Sequence, residues 1–178
     1  MATTKWVLDP THSEVLFKIK HLMITNVTGN FKAFDVTAEA EDDSFADAKI
    51  IFSTKVNSIT TNNEQRDGHL KSPDFFDAEK FPEIKFSSTK FKREGNGENF
   101  ELIGNLTIKD VTKEVKLLVE FGGIAKDPYG NIKAGFSVVG KINRANFGLT
   151  WNALLEAGGV TLSEEVSVAA EIQMVKSK

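Results

Sequence analysis

The stretch Ser13–Met23, "SEVLFKIKHLM", decides the fold class. Val15, Phe17, Ile19, His21 and Met23 share one face, while Glu14, Lys18 and Lys20 share the other with Leu16 and Leu22. Successive side chains of extended backbone point to opposite sides, so a period of two over this length reads as a half-buried β-strand. The same alternation recurs along the chain. It aligns Ala48, Ile50, Phe52, Thr54 and Val56, then Ile84 with Phe86, then Phe100, Leu102, Gly104, Leu106 and Ile108. Further on it aligns Val115, Leu117, Val119 and Phe121, then Ile132, Ala134, Phe136, Val138, Gly140 and Ile142, and last Val166, Val168, Ala170, Ile172 and Met174. A weaker strand covers Phe31 to Ala40. "REGNGEN", "KDVT" and "KDPYGN" are short, Gly/Asn/Asp-rich connections of the kind that turn a hairpin. At least eight strands in an antiparallel meander must then hide one apolar face each. A sandwich does this, and so does a closed barrel, which also removes the sheet edges.

One segment breaks the pattern. "NNEQRDGHLKSPDFFDAEKFPEIKF" (Asn62 to Phe86) carries Arg66, Asp67, His69 and Lys71 close to Phe75, Phe76 and Phe81. Thr61 or Asn62 can cap a helix, with Glu64 or Gln65 completing a capping box. The helix is expected to run to about Lys71, where Ser72-Pro73 disfavours its continuation and opens a second short turn. Phe81-Pro82 returns the chain to a strand. This is an ordered helical excursion between two strands.

Composition narrows the class. With 178 residues and 19.6 kDa, residues 1–178 suit a single domain, able to bury roughly 70% of its unfolded surface. With 0 Cys there is no disulfide, thiolate metal site or cysteine nucleophile. A net charge of -3 without a Lys/Arg block argues against a nucleic-acid partner. "MATTKWVLDP" has no signal-peptide apolar region, and no apolar run approaches the roughly 20 residues of a membrane span. A soluble, cytoplasmic protein without stable membrane insertion is expected, or a periplasmic one if the chain is a processed form. The excess of Phe (14, against 1 Tyr and 2 Trp) suits a packed core or a Phe-lined cavity.

Few residues invite chemistry. His12, His21 and His69 lack the local spacing of zinc ligands, so no metal is expected. His12 and Ser13 are strand neighbours and point to opposite faces, a poor base–nucleophile pair. No inward series contains a carboxylate, and no G-x-S-x-G occurs. "GNG" at Gly95–Gly97 is a turn. Arg66, Asp67, His69 and Arg144 read either as structural ties or as a polar mouth for a headgroup. Phe75, Phe76 and Phe81 read as apolar cover for one end. Gly104, Ala134, Gly140 and Ala170 leave a lumen or fit the taper of a filled barrel, and both readings stay open.

Five stretches together resemble the YceI family of polyisoprenoid-binding, lipocalin-like proteins. They are Trp6 with "LDPTHSEVLFKIKHL", "VTGNFKAFDV", the excursion just quoted, "GNLTIKDVTKEVKL" and "INRANFGLTWN". The resemblance implies an all-β fold: an elongated eight-stranded antiparallel lipocalin-like barrel with a short helical excursion near one end. It implies binding, sequestration or transport of a polyisoprenoid, quinone tail or fatty amide in the pore, without enzymatic activity or a cofactor. It is compatible with a homodimer. The residues expected to meet the lipid are Phe17, Ile19, His21, Phe52, Phe86, Leu117, Phe136 and Val138 on inward faces. Arg66, His69, Phe75, Phe76 and Arg144 join them at the mouth. Asn146 stands where the family often has an acid, which weakens a charge pair with Arg144. The rivals are a filled barrel acting as an interaction or stress-response module, and a lipid-modifying enzyme.

Overall fold

The alternation resolves into antiparallel strands that a computed structural model describes over residues 3–95, 97–152 and 162–177. The strands are β1 (Thr4–Leu8), β2 (Glu14–His21), β3 (Thr25–Phe31), β4 (Phe34–Ala40), β5 (Lys49–Lys55) and β6 (Ile59–Thr60). After the helix α1 (Glu64–Lys71) come β7 (Glu83–Arg93), β8 (Asn99–Ile108), β9 (Val111–Lys126), β10 (Ile132–Asn143) and β11 (Leu162–Lys176). β1 and β2 are two halves of one wall strand, as are β3 and β4, and β5 and β6. Counted this way the wall has eight strands in sequential order. It closes where the last strand meets the first, with Trp6 opposite Lys176 and Leu8 opposite Met174. A closed antiparallel barrel, with one short α-helix among the described residues, is therefore the fold.

The three split strands were not all legible. β1 has only five residues, too short to show a period. β3, "TNVTGNF", has only two large apolar side chains, Val27 and Phe31, so its alternation is faint. β2 also ends sooner than expected. Leu22 and Met23 take left-handed φ values of 53° and 61°, so Met23 leaves the inward face and is exposed. The helix begins one residue later than expected: Asn63 is the cap, its Oδ1 accepting from the Arg66 N–H at 3.0 Å. Ser72 Oγ closes the other end on the His69 carbonyl at 2.5 Å, and turns carry the chain from there to Pro82.

Packing divides the interior into two zones. At the end near β1, Trp6, Phe45, Phe91 and Phe100 are almost wholly buried. Phe45 lies 5.0 Å from Trp6, 5.5 Å from Phe121 and 5.0 Å from Phe136 between ring centres, and Phe91 stacks on Phe100 at 4.5 Å. This aromatic plug fills the barrel. It also contains Phe136, which the sequence places among lipid contacts; Phe136 stacks on Phe121 at 5.2 Å and is absent from the cavity wall described below.

Asp9 holds the seam between the first and last strands. Its backbone N–H donates to Gln173 O at 2.8 Å. Its carboxylate accepts from the Lys133 ammonium, from Thr11 N and Oγ1 at 3.2 and 2.8 Å, and from Gln173 Nε2 at 3.2 Å, and it contacts His12 Nδ1 at 2.8 Å. Lys133 holds the Asp9 carboxyl well below the usual carboxylate range; burial opposes this, and His12 and Thr11 add to it. A depressed pKa contributes stability that is complete above the unfolded value, about 3.9, and is lost as pH falls toward the folded one. Asp9→Asn is therefore expected to lose about 2–3 kcal/mol at pH 7, because Lys133 loses a charged acceptor. Its melting temperature should also fall less than that of wild type between pH 4 and pH 2. Calorimetric melts across that range check both, and parallel curves would show that the clasp is not electrostatic.

Candidate functional site

Beyond the plug the interior opens into an apolar cavity of about 480 Å³. The inward series builds its wall: Phe17, Ile19 and His21 from β2, Phe52 from β5, Phe86 from β7, Leu117 from β9 and Val138 from β10. Phe75 and Phe76, after α1, close part of the same wall, with Arg66, His69 and Leu70 from the helix and Arg144 from the 3-10 turn after β10. Every sequence-predicted site residue except Phe136 thus lies on this one cavity. Phe81 lies outside it, with the Lys80 ammonium 5.5 Å from its ring centre. No carboxylate lines the cavity among the described residues.

Three glycines shape the wall. A Cβ on Gly29 would meet Phe17 Cζ at 2.3 Å, one on Gly104 would meet Phe86 Cζ and the Ser87 carbonyl oxygen at 2.5 Å, and one on Gly140 would meet Leu117 Cδ2 at 2.3 Å. The space at each glycine is not empty. A large neighbour lies flat over it, which keeps that neighbour's bulk out of the lumen.

The polar groups gather toward the helix. Arg66 donates from Nε to Thr61 Oγ1 at 2.7 Å and from Nη2 to the Thr61 carbonyl at 2.8 Å. Asp67 accepts from Thr61 N and Oγ1 at 2.8 and 2.6 Å. Together they tie α1 to the strand end at buried Thr61. His69 contacts Asp74 Oδ2 at 2.9 Å through Nε2, and its ring packs edge-on to Phe75 and Trp151 at 5.1 and 4.7 Å. His21 ends β2 on the cavity wall. His12 lies at the seam on Asp9, so the three histidines serve different places. Ser13 Oγ donates to the Asp9 carbonyl at 2.8 Å and accepts from Gln173 N at 2.9 Å, while His12 Nδ1 turns to Asp9.

Arg144 is the unusual group. It is 5% exposed and lines an apolar cavity. Its Nε donates to the Ser163 carbonyl at 2.8 Å, and Nη1 donates to the Leu149 and Trp151 carbonyls at 2.6 and 2.9 Å. Among the described residues no carboxylate pairs with it and Nη2 has no partner. Burial lowers its pKa and the charge of Glu164 opposes that, yet an arginine stays charged. Nothing in the alternation pattern marks Trp151 or Leu149 for the wall, yet both line it. Both follow Arg144 closely, and the carbonyl contacts of Arg144, with the packing of Trp151 on His69 and Phe75, hold that stretch over the cavity.

Comparison with known proteins matches this geometry. Residues 6–174 match the YceI-like domain. A UPF0312 protein of Staphylococcus aureus strain N315 is 41% identical over 171 residues, covering 96% of each chain. A crystal structure of a Campylobacter jejuni YceI protein is 36% identical, with a TM-score of 0.75 over 96% of this chain and 97% of that one. A polyisoprenoid-binding domain from Saccharophagus degradans, 14% identical, shares the fold with a TM-score of 0.68 over 97% and 98% of the two chains.

The glycine contacts give opposite expectations for two small changes. At Gly104 the added methyl strikes a backbone carbonyl that cannot turn aside, so Gly104→Ala should cost about 2 kcal/mol of stability. At Gly140 it strikes the end of a flexible leucine. Gly140→Ala should cost less than about 1 kcal/mol and swing Leu117 into the lumen. Denaturant titrations with a crystal structure of the Gly140 variant decide it; equal losses in the two variants contradict this account.

Proposed function

The chain belongs to the YceI-like family, and on that premise we propose that it binds, sequesters or carries a long apolar lipid in the barrel lumen without chemical change. The observation that carries this reading is the cavity itself, which has an aromatic plug at one end and apolar walls free of carboxylates among the described residues. Each methylene transferred from water to such a wall is worth about 0.8 kcal/mol, so a chain of a few isoprene units binds with few polar contacts. The ligand class carried over from the Saccharophagus degradans domain is a polyisoprenoid. A quinone tail or fatty amide meets the same walls equally well. A general acid or base for lipid chemistry would need a titratable group at a reacting atom. The histidines on the wall are His21 and His69, and His69 contacts Asp74 through Nε2.

In this reading residues 1–178 act as one lipid-binding domain. Phe17, Ile19, Phe52, Phe75, Phe76, Phe86, Leu117 and Val138 meet the chain, and His21, His69, Arg66 and Arg144 stand toward its head. The two arginines differ in role. Arg66 spends Nε and Nη2 on Thr61, at the strand end beside its own helix, and in this reading serves as a tie. Arg144 offers Nη2 to an oxygen of the head, whose hydrogen bond would offset part of the cost of burying the cation.

Solvent extraction of the purified protein followed by mass spectrometry is expected to yield a long isoprenoid or alkyl lipid. An empty extract, together with no uptake of a prenyl alcohol from solution, would end this reading. Arg144→Lys keeps the charge but loses the planar fork. It should weaken binding of a prenyl phosphate roughly ten- to a hundredfold more than binding of the headless prenyl chain. Arg66→Lys should lower thermal stability and change both affinities alike, which identifies it as a tie.

A further inference from the structure

We propose that the tip of the β2–β3 hairpin, Leu22–Met23–Ile24, is a wedge that enters a lipid surface and seats the cavity mouth upon it; the inference rests on the lipid-binding reading above. The last ladder pair is His21 with Thr25, so these three residues form the whole turn. They are 37%, 52% and 79% exposed. Leu22 and Met23 are both in the left-handed region, which crowds a side chain against its own backbone and which Gly or Asn enters more easily. Phe45 is the other large apolar residue with positive φ among the described residues, and burial in the plug explains it. Leu22 and Met23 gain no such burial. Strain that places bulky apolar side chains in water is a sign of function.

Charge and position supply the partner. From His21 to Phe31 there is no Asp, Glu, Lys or Arg, in a chain that is 26% charged. His21 and Val27, which flank the tip, line the cavity, and the aromatic plug fills the opposite end. A lipid entering the lumen therefore passes beside the tip. Lys18 and Lys20 are exposed on β2 just behind it, and Glu164 and Glu165 lie across on β11, with Glu165 paired to Lys141 at 3.4 Å. These charges largely balance, so apolar insertion rather than attraction to anionic lipid supplies the binding. A three-residue tip is also far too small for a stable dimer, which buries about 800 Å² and some 20–30 residues on each side.

The test uses the whole protein and vesicles of zwitterionic phosphatidylcholine. Wild type should float with the vesicles, with little dependence on salt between 50 and 500 mM (about a threefold change in Debye length). Ile24→Glu and Met23→Glu should each reduce flotation roughly tenfold or more. Uptake of a prenyl alcohol presented from solution should stay unchanged in both, which separates a failed wedge from a failed cavity. A second variant, Leu22→Asn with Met23→Gly, relieves the left-handed strain. It should raise the melting temperature and lower flotation, opposite signs that a merely structural turn does not produce. Wild type that stays with the buffer, or glutamate variants that float as well as wild type, would overturn the proposal. So would a dimer in sedimentation equilibrium that Ile24→Glu dissociates, because the tip would then face a second copy.

Discussion

The Asp9 carboxylate stands where the barrel is closed. A barrel exists only if its last strand pairs with its first, and here β11 pairs with both halves of that strand, at three register positions on β1 and seven on β2, with Asp9 at the break between them. Asp9 follows β1 directly and gathers Lys133 from β10 and Gln173 from β11 onto one carboxylate. It thus links the first wall strand to the last two. The partners come from distant parts of the chain, so the loop-closure entropy they must overcome is large and a weak neutral contact would do little. A buried ion pair with several further hydrogen bonds meets that demand, since its lone pairs are satisfied rather than merely desolvated.

With the seam closed, the interior is shared between stability and space. The plug of Trp6, Phe45, Phe91, Phe100, Phe121 and Phe136 has the dense aromatic contact of an ordinary core. The other half keeps a cavity, and cavities cost stability in proportion to their size. Gly29, Gly104 and Gly140 show how the wall sustains it: each lets a large wall side chain (Phe17, Phe86 or Leu117) lie against the sheet where a Cβ would stand. Eight strands enclose either a filled interior or one small ligand site, and this barrel does one at each end.

Local rules are broken at two places. Arg144 is a buried cation held by carbonyls instead of a carboxylate, and Leu22 and Met23 are apolar residues in strained backbone facing water. Both lie toward the end away from the plug. The Arg66–Asp67–Thr61 tie is the opposite case. Its hydrogen bonds run between α1 and the strand end at Thr61, while Arg66 also lines the cavity.

The period of two in Ser13–His21 and in the later strands was enough to establish the strands, their inward faces and most of the cavity wall, because alternation is a local property of extended backbone. The helical excursion was legible for the same reason, through its caps and prolines. Strands β1 and β3 were not, since one is too short and the other too polar to show a period. Alternation tells which side of the sheet a residue faces but not its height along the barrel. Phe136 and Val138 therefore look equivalent in sequence, and only strand register places one in the plug and the other on the lumen. Likewise a glycine in an inward series reads as a gap until its neighbour across the ladder is known. The tertiary structure decided what was filled and what was open, because those depend on contacts between residues far apart in the chain.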